Sequence, residues 1–202
     1  MSETSCPDEF KKVINDFIND IKMTFPEYAM IINKYFYGEV RLQNNNATIS
    51  DEIYDKTFNF CKSKYAPRFF DILYQNTSIF EEDSTEDTEF LPNIYFKNLW
   101  TCDISDKTKE TIWKYLQLIL FSAVGKVDDE GQFGESLKLF EAINDGEFKD
   151  KLDETFEGIK NMFEDTKDAS GESFDLPNPE DMHEHISWLF KVKLGNCATE
   201  IT

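Results

Sequence analysis

Apolar residues recur every three or four positions along most of this 202-residue chain, and that spacing predicts helices. Phe10, Val13, Ile14, Phe17, Ile18 and Ile21 form one face of a first helix, with Pro7 ahead of it and Asp8 and Glu9 at its positive end. Pro26 interrupts the pattern. A second helix over about residues 27–36 puts Tyr28, Ile31, Ile32 and Tyr35 on one face, with Gly38 as its stop. The asparagine-rich stretch 39–49 reads as a loop, and Ser50 as the N-cap of a helix carrying Ile53, Tyr54, Phe58 and Cys61. Pro67 breaks or restarts that helix, and residues 69–74 (FFDILY) form a short aromatic one.

The centre of the chain holds three contrasting segments. Residues 81–89 (EEDSTEDTE) contain six acids and no base, the pattern of a solvated loop. Phe90 to Trp100 is apolar but irregular, with Pro92 inside it, and reads as an extended segment laid over a helical core or as a docking surface for a partner. Capped by Ser105 or Asp103, a helix over about residues 105–124 follows, with Gly125 as its stop. Its second half, with Ile112, Trp113, Leu116, Ile119 and Phe121, is apolar nearly all round, which predicts burial on most sides.

Beyond residue 125 the helices become narrow-faced and acidic. Residues 135–143 form a short amphipathic helix closed by Asp145-Gly146, and Phe148, Leu152, Phe156, Ile159 and Phe163 make a stripe on the next. An acidic linker over 164–178 leads to a last helix opened by Pro179, where His185, Ile186, Leu189 and Phe190 face inward. Nothing alternates convincingly at period two. The expected class is all-α: an irregular multi-helix bundle around a buried central helix, with acidic loops. Residues 1–125 would supply the aromatic core and residues 126–202 an acidic helical part packed on it, in one continuous domain.

Charge sharpens this division. The chain has 40 acidic against 21 basic residues, a net of −19. Residues 1–75 hold 9 bases and 11 acids, a net of −2, whereas residues 76–202 hold 12 and 29, a net of −17. With 40 % hydrophobic residues and 19 phenylalanines the chain is too apolar to be a disordered acidic tail. It is also too acidic to grip nucleic acid over a broad face, because that affinity comes from basic groups displacing counterions. Residues 112–124 are the longest apolar run, interrupted by Lys114 and Gln117 and short of the roughly 20 residues a bilayer span needs. No basic-plus-apolar leader is present at the N-terminus, and Cys6, Cys61, Cys102 and Cys197 include no CxxC pair. The expectation is an intracellular chain with free thiols and no membrane partner.

Motifs for catalysis and cofactors are missing. The eight glycines are scattered, and no GK[ST] follows the Gly131–Gly134 pair. An EF-hand loop started at Asp129 places Gly131, Phe133 and Phe140 where acidic ligands belong, and one started at Thr166 ends on Pro177. His183 and His185 are the only histidines; two residues apart on a helix, they point about 200° away from each other and cannot share a metal. No GxSxG elbow or HExxH occurs, and no cysteine adjoins a basic cluster. No cofactor or metal is expected, and no catalytic residue is assigned.

Residues 103–121 (DISDKTKETIWKYLQLILF) resemble a signature of uncharacterised proteins from large DNA viruses that infect algae and protists. The runs 68–76 (RFFDILYQN) and 90–92 (FLP) fit the same pattern, as does the ending 195–201 (GNCATEI), where that family tends to carry more lysines. The resemblance covers about residues 55–202 and implies no activity, since the family has no assigned function. It implies that relatives often continue into further polar helices, which would make this chain a short or truncated member. The expected function is a non-enzymatic protein–protein interaction or scaffold protein, viral, in the cytoplasm of an infected cell or in the virion. It would bind a protein partner through Phe90, Leu91, Tyr95, Phe96 and Trp100, or through the acidic 126–181 face. The alternative is an acidic regulator, or nucleic-acid mimic, that occupies basic surfaces of a host or viral protein; an enzyme of unknown class comes third.

Overall fold

A computed structural model describes residues 5–38, 47–124, 133, 136–164, 180–181 and 183–188. Among them the fold is all-α apart from one two-stranded hairpin. The chain runs α1 (Asp8–Thr24), α2 (Ala29–Tyr37), α3 (Asp51–Tyr65), α4 (Phe69–Leu73), β1 (Glu89–Leu91), β2 (Ile94–Tyr95), α5 (Phe96–Trp100), α6 (Asp106–Val124), α7 (Ser136–Ala142) and α8 (Asp145–Glu164). A further helical segment occupies 183–188.

Local chemistry accounts for most of these bounds. Pro7 precedes α1, Asp8 and Glu9 lie in its first turn, and the six predicted apolar positions are the buried ones. Phe25 and a 3₁₀ turn over Pro26–Tyr28 separate α1 from α2. α2 buries Ile32 and Phe36, not the broader face expected, and leaves Ile31 exposed. Gly38 ends it at φ +62°, a conformation costly to residues with a Cβ. Ser50 caps α3, and Ser105 caps α6 by accepting the Thr108 N–H at 3.1 Å.

α6 is the central helix. It packs on α1, α3, α4 and α8, and Leu116, Ile119, Leu120 and Ala123 have no exposed surface. Tyr115 stacks on Phe17 of α1 at 4.7 Å, and Phe121 stacks on Phe156 of α8 at 4.5 Å. α8 turns Phe148, Leu152, Phe156 and Ile159 into the same apolar cluster. α7 joins it through Phe140, whose ring lies 6.4 Å from Phe70 and 5.5 Å from Phe148.

Three expectations change. The irregular 90–100 segment is a β-hairpin followed by α5; Leu91-Pro92-Asn93-Ile94 makes its turn, with Asn93 at φ +66°, which suits the Pro-Asn order of a type II turn. Asp145-Gly146 opens α8 instead of closing the helix before it: the Asn144 side chain accepts the Gly146 N–H at 2.8 Å. Both histidines are half-buried, although only His185 was expected to face inward. Gly125, Gly131, Gly134, Pro179, Leu189, Phe190, Cys197 and most of the 39–49 and 164–178 stretches lie outside the described residues, and nothing is described for the Phe163 side chain.

Candidate interaction surfaces

The five residues proposed for docking are dispersed by the fold. Phe90, Leu91 and Phe96 have no exposed surface. Phe90 sits 5.3 Å from Tyr65 of α3 and 5.6 Å from Phe96, which in turn lies 5.7 Å from Phe17 of α1. Trp100 is partly covered, stacked on Phe80 at 4.4 Å and edge-on to Trp113 of α6 at 5.5 Å. Tyr95, 49 % exposed, is the one that presents a surface. The segment therefore docks on its own core, tying α1, α3 and α6 together, and Phe90, Leu91 and Phe96 are withdrawn as partner contacts.

The acidic loop ahead of it is divided in two. Its second half is neutralised from within: Lys64 of α3 bridges Asp87 at 2.6 Å and Glu89 at 2.9 Å, and Arg68 pairs with Glu86 and, at 3.1 Å, with Asp71. Burial disfavours ionised Asp87, but Lys64, the Glu89 backbone N–H and Arg68 outweigh it and hold its carboxyl below the usual aspartate range. The hydrogen bond to Asp87 outweighs partial burial at Lys64 as well, and raises its ammonium. Lys97 donates to the backbone carbonyls of Glu82 at 2.8 Å and Ser84 at 2.9 Å. Glu81, Glu82 and Asp83 remain exposed, and no ion pair reaches them among the described residues. The loop is a strap over the end of α3, where a wholly solvated stretch was expected.

A larger acidic surface belongs to α8. At 3.6 residues per turn, Glu147, Asp150, Glu154 and Glu157 fall on one side, with Asp153 at its margin, opposite Phe148, Leu152, Phe156 and Ile159. All five acids are exposed. Among the described residues Lys151 pairs with Glu154 at 3.0 Å, and no cation bridges the other four. From Glu147 to Glu157 the face runs about 15 Å at 1.5 Å per residue.

The histidines bring other polar groups together without making a relay. His183 Nε2 lies 3.4 Å from Ser187 Oγ and 3.7 Å from Asp145 Oδ1, so hydroxyl and carboxylate meet the same ring nitrogen. A nucleophilic Ser-His-Asp arrangement needs them on opposite nitrogens, one accepting the proton and the other held by the acid. His185 Nε2 is buried with no hydrogen-bond partner among the described residues, and its ring stacks on Trp188. No group of three metal-ligating side chains occurs among the described residues, and no described helix is long and apolar enough to cross a membrane.

No protein-family model matches the sequence, and comparison with curated proteins and with solved structures returns no match. Nothing in these comparisons bears on the viral resemblance.

Proposed function

We propose that this chain is a non-enzymatic interaction protein that engages a basic protein partner through the acidic outer face of α8. One observation supports this above the others: five exposed carboxylates share one side of a helix whose other side is fixed in the core. The face is thereby held in place with an excess of acidic groups, which favours fast, electrostatically guided association with Lys/Arg-rich surfaces. The same field repels nucleic acid, so the partner is a protein, such as one that itself binds nucleic acid. If the viral resemblance holds, that encounter takes place in an infected cell or virion.

The test compares wild-type chain with the fourfold variant E147Q/D150N/E154Q/E157Q as bait for co-purifying proteins. Capture of a discrete basic partner at about 50 mM salt should fall steeply by about 500 mM, as the screening length shrinks to a few Å. It should also be lost with the variant, while circular dichroism stays unchanged. Equal capture by both baits, or capture indifferent to salt, would remove the reading.

A further inference from the structure

α1 and the first turns of α6 do not close completely against each other. A cleft of about 200 Å³ remains between them, reached by Asp20 and Thr24 from α1 and by Thr108 and Thr111 from α6. Its volume is below the roughly 300–1,000 Å³ of pockets that take drug-sized ligands, and equals about six or seven water molecules at ~30 Å³ each. That space suits one short chain or small group and is too small for a nucleotide.

Asp20 sets the chemistry. Tyr115 donates its hydroxyl to Asp20 Oδ2 at 2.6 Å. Burial of Tyr115, with Asp20 and Asp16 beside it, holds that phenol protonated far above its ordinary range, so it serves as a fixed donor. Asp20 Oδ1 has no donor among the described residues, and no lysine or arginine bridges the carboxylate. Asp16, one turn earlier on α1, adds a second negative charge near the same phenol. Below these groups the cleft is apolar, walled by Ile21, Phe25 and Ile112, each almost wholly buried.

We infer that this cleft is a binding site for a primary alkylammonium: the ammonium on Asp20 Oδ1 and the methylene chain along Ile21, Phe25 and Ile112. An ammonium brings three donors and no acceptor, and the cleft is lined by the Asp20 carboxylate and by Thr24, Thr108 and Thr111, whose hydroxyls are able to accept. Lysine-like chains bury their methylenes on apolar surface while keeping the charged end on polar groups. A divalent cation such as calcium wants six to eight oxygens, more than one carboxylate and a few hydroxyls supply. Lys107 stands exposed at the rim and opposes the ligand's charge. The ammonium has two sources, a free aliphatic amine or a lysine side chain of another protein. This site is on the α1–α6 side and does not depend on the α8 reading.

Amide shifts of the ¹⁵N-labelled chain provide the test, with 1,5-diaminopentane, Nα-acetyl-lysine amide and uncharged hexanol as probes. Shifts at Asp20, Thr24, Thr108 and Thr111 with the two amines and not with hexanol are the expected result. A tighter response to the diamine identifies a free amine as the source, and a tighter response to the lysine derivative identifies a protein side chain. Asp20→Asn, which keeps an acceptor for Tyr115, should weaken binding on the order of tenfold by removing the charge from that hydrogen bond. Lys107→Gln should tighten it a few-fold and guards against a folding defect in the first variant. Hexanol binding as well as the amines, absence of shifts with either amine, or undiminished binding in Asp20→Asn would overturn the proposal.

Discussion

Tyr65 and Gln117 show what a polar side chain must do in a core this aromatic. Both are buried. The Tyr65 hydroxyl donates to the Phe90 carbonyl at 3.0 Å, fixing β1 against α3. Gln117 Nε2 donates to the carbonyls of Ile72 and Leu73 at 3.2 Å each, at the C-terminal end of α4, where the Ile72 carbonyl also accepts the Gln75 N–H. Tyr65→Phe removes one hydroxyl and its buried hydrogen bond, so it should cost about 0.5–1.5 kcal/mol although the packing volume hardly changes. Urea denaturation measures that loss; a variant as stable as wild type would show that the bond contributes nothing net. Neither partner was legible in the sequence. Tyr65 is an aromatic at a helical position like several others, and 25 residues separate it from Phe90.

Among the elements, legibility follows how local the cause is. The faces of α1, α6 and α8 were readable because one helical period places their apolar residues on one side whatever lies opposite. Caps were readable for the same reason, but their strength was not. Ser105 Oγ accepts the Thr108 N–H at 3.1 Å, whereas Ser50 Oγ accepts that of Ile53 at 3.4 Å. Ser105→Ala should therefore cost about 1 kcal/mol, near the middle of the range for lost N-caps, and Ser50→Ala less. Chemical denaturation of the two variants side by side checks the order; a reversed order would mean that cap geometry does not govern these ends. The hairpin was missed although Pro92-Asn93 is a turn signal, because strands of three and two residues give period two too few positions to show.

At the scale of the molecule, charge ties the strap to the fold. Asp87 releases its proton more readily in the folded chain than its ordinary value of 3.8 allows, so the unfolded chain takes up more protons as the pH falls. Its contribution to stability is present above about pH 4 and is lost below it as the folded carboxyl titrates. Asp87→Asn should lower stability near neutrality, change little at pH values below the folded carboxyl's titration, and so flatten the acid limb of stability against pH. An unchanged acid limb would mean that the strap is not held by this pair. High salt should weaken the same pair, because Asp87 and Lys64 are both partly solvated.

The sequence by itself determined the helical class, the phase of each long helix, the caps and the segregation of acid into the second part of the chain. Each of these follows from side-chain direction within one turn or from plain counting. Tertiary structure decided which apolar residues are surface and which are core, turning Phe90, Leu91 and Phe96 inward and leaving Tyr95 out. It also decided which acids are already paired and which are free to meet a partner. Those outcomes depend on neighbours brought together through space: Lys64 and Asp87 are 23 residues apart, and Asp20 and Tyr115, the pair at the α1–α6 cleft, are 95 apart. Helical period carries no information across such separations; burial and electrostatics do, once the chain has folded.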